Sequence, residues 1–416
     1  MPARARTRRG GRHARRARQA LDHLVSAADD LPSRASLAGR LSFYYASVFA
    51  LIGAHLPFFP LWLDTKGVSP DQIGTLLAAV SFVRIVTTPW IGARADRMGE
   101  RRRPMVALAV LATLGFAAYW AADGFWTLLV VGILAGVAHA GLMPLGENVA
   151  LTLAPRRGLA YGRLRLWGSV AFIAIAALGG VAVEAWGIGL TIWMLVGTAA
   201  WTALACALLP DVRSPPAAGR HAPVRTLLRN RTFVLLLATC GLLQASHAMF
   251  YALGTVHWRA NGIDEATIGL LSAEAVVAEI ALFAAGGWLL ARLGPVGLLA
   301  ASGIAGILRW SAMVVLGDVG SLAVLQLLHA FTFGAAHLAG MHILARAAPE
   351  GYAATAQSTY SAIGGGVAMG LALLASGPLY QSLGAGTYGV MAVLSAAGLA
   401  GAAAFGRRWQ GERLRA

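Results

Sequence analysis

The sequence predicts an all-α membrane protein with twelve transmembrane helices in two pseudo-symmetric six-helix bundles. Three observations carry that reading. The 416-residue chain is 57% hydrophobic, with mean hydropathy +0.64. Its charged residues, 12% of the total, are about half the roughly 25% usual in soluble domains. The second half also repeats features of the first at a fixed offset. A soluble enzyme or soluble nucleic-acid binder is excluded, because there is too little polar surface to cover a globule of this size.

A membrane helix needs about 20 mostly apolar residues. Twelve such runs follow in order: 41–63, 71–93, 104–122, 126–153, 161–183, 188–209, 233–258, 264–291, 297–316, 320–347, 353–380 and 384–405. They are continuous rather than alternating, which rules out a strand barrel. Residues 1–40 hold no apolar core, so no cleavable signal peptide is expected and span 1 itself directs insertion. Cys206 and Cys240 fall inside apolar runs and read as buried spacers.

Arginine placement orients these spans. Lys66 is the sole lysine, and the Arg, Ala and Gly excess hints at a GC-rich bacterial genome. The tail 1–40 holds ten arginines, 94–103 five, 156–165 four, 210–232 five, and the C-terminus four, with Arg292 and Arg346 in the remaining even loops. Thirty cations thus share one side, against Lys66 and Arg259 on the other, while Arg84 and Arg309 lie inside spans. The positive-inside rule puts both termini and the 210–232 linker in the cytoplasm. The expected location is a bacterial inner membrane. The expected organisation is a basic disordered tail (1–40), a first bundle (41–209), the linker (210–232), a second bundle (233–405) and a short tail (406–416). The net charge of +16 is then mostly topological. An Arg-rich arm tethered to a span fits anionic lipid better than nucleic acid.

Gly67, Ile73 and Gly74 recur as Gly262, Ile268 and Gly269, each 195 residues on. Gly92-x3-Asp96-Arg97-x-Gly99 recurs at the same offset as Gly287-x3-Ala291-Arg292-x-Gly294. Duplicated halves related by an axis along the membrane normal place a substrate cavity between them near the midplane.

The loop after span 2 carries Gly92, Asp96, Arg97, Gly99, Arg101 and Arg102. In spacing and position it resembles the signature loop of the major facilitator superfamily. The resemblance implies that superfamily's fold, and a latch that holds the cytoplasmic gate. There Asp96 pairs with Arg101 or Arg102, or an arginine meets a helix C-terminal dipole. In the second copy Ala291 has lost the acid.

Ionisable residues within spans are costly and point to function. The acids are Glu147, Glu274 and Glu279; the bases are Arg84 and Arg309, with Arg163 and Arg165 opening span 5. Histidines stand at 55, 139, 247, 329, 337 and 342, with His257 at an outer end. Arg84 and Glu279 are 195 apart and so pseudo-equivalent. They are expected to face each other or a shared cavity as a charge pair, permanent or rearranged during transport. Glu274, five residues before Glu279, is about 140° round the helix and reads as a wetted lining residue. His337 and His342 have no metal-ligand spacing, and no metal or cofactor is expected.

A further resemblance is to the lactose permease branch. Glu147 and Arg165 match its span-4 and span-5 pair at a spacing of 18, and Phe172 stands where that branch has a stacking tryptophan. Arg309 and His329 match its span-9 and span-10 pair at a spacing of 20. Thr332 and Gln326 replace its proton-carrying glutamate and its lysine, which leaves Glu279 as the candidate proton carrier. More narrowly, residues 40–405 are similar in pattern to the phenylpropionate permease group. The matching segments are LLQASHAMFYALGTVHWRANG, YGRLRLWGSVAFI, VVAE, ILRW and LQLLHAFTFGAAHLAG. That implies proton-coupled uptake of aromatic carboxylates, with Gln244, His247, Tyr251 and Trp258 at the group's span-7 positions. His247 would donate to the carboxylate and Tyr251 pack on the ring.

Substrate chemistry also leans toward an amphipathic anion. Arg84, Arg165 and Arg309 supply cations. Phe172, Trp167 and Tyr360, the last at the repeat position of Arg165, supply apolar surface. A sugar needs neutral hydrogen-bonding groups, and Asn148 and Gln244 are the chief ones available. The lead expectation is a proton-coupled symporter working by alternating access, functional as a monomer. The alternatives are a sugar or nucleoside symporter and a drug or metabolite efflux transporter. A membrane sensor or membrane-embedded enzyme finds no supporting motif. The chain lacks a Gly-x4-Gly-Lys-Ser/Thr loop for ATP.

Overall fold

The computed structural model describes residues 32–211, 223–350 and 352–414. Most of the basic tail and the middle of the linker therefore lie outside the described residues. The first ten spans are Arg34–Thr65, Pro70–Met98, Arg102–Ala121, Phe125–Arg157, Tyr161–Trp186, Leu190–Leu208, Arg231–Ala260, Glu265–Ala284, Gly286–Met313 and Val319–Ala347. The stretch Thr355–Arg408 holds the last two. It breaks at Gly384, whose φ of 56° ends Met369–Leu383 before Thr387–Arg408 begins. Span 8 bends at Ala285 and continues to Gly294, where a φ of 66° turns the chain into span 9.

The repeat is visible in the backbone. Gly67 and Gly262 both have positive φ, as do Gly99 and Gly294, and glycine alone takes that region without a Cβ clash. The N-terminal ends of spans 2 and 8 are capped at equivalent positions. Gln72 Oε1 accepts from Ser69 N at 3.1 Å, and Asp264 Oδ1 accepts from Thr267 N at 2.7 Å. The Thr267 amide and hydroxyl hold the Asp264 carboxyl below the usual carboxylate range.

Two close seams join the halves. Span 2 lies on span 11, where a Cβ on Gly74 would fall 2.6 Å from the Leu373 carbonyl oxygen. Span 8 lies on span 5, where a Cβ on Gly269 would strike the Ala176 carbonyl oxygen. Glycine permits both approaches.

The apolar cores are asymmetric along the spans. Toward the termini each half has its own. One contains Leu37, Met105, Leu145 and Cys206; the other contains Phe233, Leu298, Ile343 and Phe405. At the opposite end a single core runs through both halves, with Phe58, Trp62 and Tyr119 meeting Phe250, Trp258 and Tyr388. A hydrogen bond from Gln381 Nε2 to Asp71 Oδ1, 2.7 Å long, also crosses between halves there. The molecule is closed at that end and cleft toward the end that carries the termini.

Candidate functional site

The loop after span 2 closes on one arginine. Gly99 ends span 2 in the left-handed region, and the tight turn brings Arg101 back over its last turn. Arg101 Nη2 donates to Asp96 Oδ1 at 2.8 Å, and its Nε donates to Asn148 Oδ1 at 2.7 Å. Arg101 is buried, whereas Arg97 and Arg102 are exposed. Asn148, expected to bind substrate, is thus engaged by Arg101. It follows Glu147 by one residue, which turns it about 100° away from the cleft.

Glu147 does face the cleft. Tyr161 donates its hydroxyl to Glu147 Oε2, and Arg165 Nε lies 3.6 Å from Oε1. The Arg165 guanidinium stacks over Phe49 at 5.1 Å. Tyr161 and Phe49 were missing from the sequence expectation. Tyr161 could have been found, since it sits four residues before Arg165 and shares its helix face. Phe172 is instead 4% exposed and packs with Ala176 and Ala273. It fills the seam between spans 5 and 8 rather than offering a platform. Trp167 is 56% exposed beside exposed Leu166 and Val170, on the outer face of span 5.

A second cluster lies in the other half. Arg309 is fully buried between Phe250 and Trp310, 4.9 and 4.6 Å from their ring centres. Among the described residues its partners are neutral. It donates through Nη2 to Gln326 Oε1 and through Nη1 to Thr332 Oγ1 (3.1 Å) and His329 Nδ1 (3.1 Å). Gln326 and Thr332, the two departures from the lactose permease pattern, therefore still contact this guanidinium. Gln326 also donates to the Leu271 carbonyl at 2.9 Å, tying span 10 to span 8.

The hydrogen bonds fix both imidazole tautomers. His329 Nδ1 accepts from Arg309, so Nε2 carries the proton in the neutral ring. That Nε2–H faces Glu279 Oε2 at 3.9 Å, beyond hydrogen-bond length. His247 Nδ1 lies 3.2 Å from the Leu243 carbonyl and donates to it, while Nε2 accepts from the Thr332 hydroxyl at 3.0 Å. With both nitrogens engaged and no exposure, His247 cannot donate to a substrate here, as had been expected. Tyr251 stacks on the His247 ring.

Glu279 is 19% exposed and reaches the cleft. Arg165 is the cation whose field acts on it. The expected Arg84–Glu279 pair is not made. Pseudo-equivalent residues sit against different spans: Ile85, beside Arg84, fills the space over Gly366 of span 11, while Glu279 lies over Gly334 of span 10. Glu274 is half-buried and forms no ion pair among the described residues. The Gln244 carbonyl accepts from the His247 amide. Tyr360 lies over Gly340 of span 10, with its hydroxyl buried.

Comparison with known proteins follows the same lines. A family model described as the MFS_1 like family matches residues 38–389. The chain is 34% identical over 365 residues to a "Probable 3-phenylpropionic acid transporter" of Escherichia coli (strain K12), covering 85% of this chain and 94% of that one. It is 27% identical to a "Maltose permease" of Geobacillus stearothermophilus, over 81% of this chain and 86% of that one. Among solved structures, the nucleoside transporter NupG superposes with TM-score 0.76 at 16% identity, covering 90% and 99% of the two chains.

Proposed function

We propose that this chain, which belongs to the MFS_1 like family and is a multi-pass membrane transporter of the major facilitator type, carries a small aromatic carboxylate inward together with a proton. The observation that carries the reading is Glu279. It is a carboxyl on the cleft wall whose close nitrogen neighbour, the neutral His329 Nε2–H, stays 3.9 Å away. An ionised carboxylate lacking a close partner is costly in a membrane interior. Glu279 therefore binds a proton when the cleft is apolar, and loses it when Arg165 or water draws near.

Two further facts support the substrate class. A relative 34% identical over 85% of this chain is named for 3-phenylpropionic acid. The amides a sugar would need are also largely engaged, Asn148 by Arg101 and Gln326 by Arg309. The thirty-to-two arginine and lysine bias supports cytoplasmic termini in a bacterial inner membrane, so the cleft opens to the cytoplasm. The latch at Arg101 and Asp96 holds one arrangement of the gate, and the two bundles rock as units around the 210–232 linker within a monomer.

The test is uptake of labelled 3-phenylpropionate by proteoliposomes, with and without an inward proton gradient, beside sugars and cationic drugs. Accumulation of the carboxylate that collapses with the gradient is expected. Gradient-driven uptake of a sugar, with none of the carboxylate, would sink the proposal.

A further inference from the structure

We infer that the substrate carboxylate is held by Arg84, His55 and His139 on the wall of the N-terminal half, on the opposite side of the cleft from Glu279. This rests on the carboxylate reading above. Arg165 and Arg309 already have partners, but Arg84 in the middle of span 2 is exposed and has no ion pair among the described residues.

Its helix face shows where it points. Val86 (72% exposed) and Trp90 (64%) mark the outer side of span 2. Phe82 and Ile85 fill the space over Gly370 and Gly366 of span 11, while Val80 fills that over Gly136 of span 4. Arg84 is about 200° from Val86. It lies between the two packed faces and looks into the cleft.

A ladder along spans 2 and 4 brings the histidine to it. Leu76 meets Gly132 and Val80 meets Gly136; the next rung sets Arg84 opposite Ala140, with His139 one residue before it on span 4. The Arg84 charge acts on both His139 and His55. His139 Nδ1 is buried with no hydrogen-bond partner. His55 is held by stacking on Phe59 at 4.6 Å.

Among the described residues, no carboxylate forms an ion pair with any of the three. A cluster with an arginine fork, an unspent imidazole nitrogen and no acid suits a monoanion. An aromatic acid bound there would keep its charge on the wall formed by spans 1, 2 and 4. The proton would sit on Glu279 of span 8. The two ligands would then load at separate places and be coupled through closure of the cleft, not by sharing one pair.

The experiment is calorimetric titration of the purified full-length protein with 3-phenylpropionate and with its neutral amide, 3-phenylpropionamide. Wild type should bind the acid and discriminate against the amide. Arg84→Gln should weaken acid binding by about tenfold or more, the scale of one lost charge-assisted interaction, and erase the discrimination. Arg84→Lys should restore part of both, and His139→Gln should weaken binding less than Arg84→Gln does. These last two keep the test open if Arg84→Gln fails to fold. Wild-type binding with undiminished affinity and discrimination in Arg84→Gln, or in both Arg84→Lys and His139→Gln, overturns this assignment alone. So does a loss confined to Arg165→Gln. A wild type that binds no monocarboxylate overturns the substrate reading as well.

Discussion

At the scale of single residues, one guanidinium sets the chemistry of its half. Arg309 donates to His329 Nδ1 and so aims the opposite N–H at Glu279. A neutral group there, in place of a cation, leaves Glu279 free to change protonation. Glu279→Gln, which stays neutral, should abolish proton-driven accumulation of 3-phenylpropionate in proteoliposomes while leaving exchange of internal for external substrate. Accumulation that persists in this variant places the proton elsewhere. The sequence showed which ionisable residues lie in spans, because charge in hydrocarbon is rare. It did not show their partners. Glu147 and Asn148 are neighbours in the chain, yet one faces the cleft and the other binds Arg101. The offset of 195 equates Arg84 with Glu279, but equivalence about an axis separates two residues as readily as it joins them. Only the seams decide that.

At the scale of elements, those seams depend on glycine. Gly269 allows span 8 to lie directly on the span-5 backbone, and a side chain there would meet the Ala176 carbonyl. Gly269→Leu should force the spans apart at a cost in the overpacking range, about 1–3 kcal/mol. It should appear as a lower melting temperature of the purified protein, whereas Gly287→Ala, with nothing within 4 Å of its Cβ, should melt like wild type. Equal melting by both variants would mean the seam is slack. Spans 7 and 10 also each contain a π-helical segment, Phe250–Gly254 and Ala330–Ala335. They flank the Arg309 cluster, and such segments often mark functional sites. Hydropathy located these spans well, since length and apolarity suffice to cross a bilayer. It is blind to a single inserted residue within a helix, so the π segments were not legible.

At the scale of the molecule, alternating access requires the closed end to part. The Asp71–Gln381 hydrogen bond crosses between halves at that end. Asp71→Cys combined with Gln381→Cys, joined by a short bifunctional thiol reagent, should stop transport while leaving the cleft reachable from the side of the termini. Cys206 and Cys240 are buried and should not compete for the reagent. Transport that continues after complete cross-linking would show that the halves do not separate there.

The shared apolar core at the closed end has a thermal consequence. Opening that end transfers Phe58, Trp62, Phe250 and their neighbours toward water, whereas closing the other end brings together walls that hold Glu147, Arg165 and Glu279. Wetting apolar surface raises heat capacity and wetting polar surface lowers it. The two conformers should therefore differ in heat capacity, so their population ratio should bend with temperature rather than follow a straight van't Hoff line. A carrier built this way is poised differently in cold and warm cells, with no change in any residue that touches its cargo.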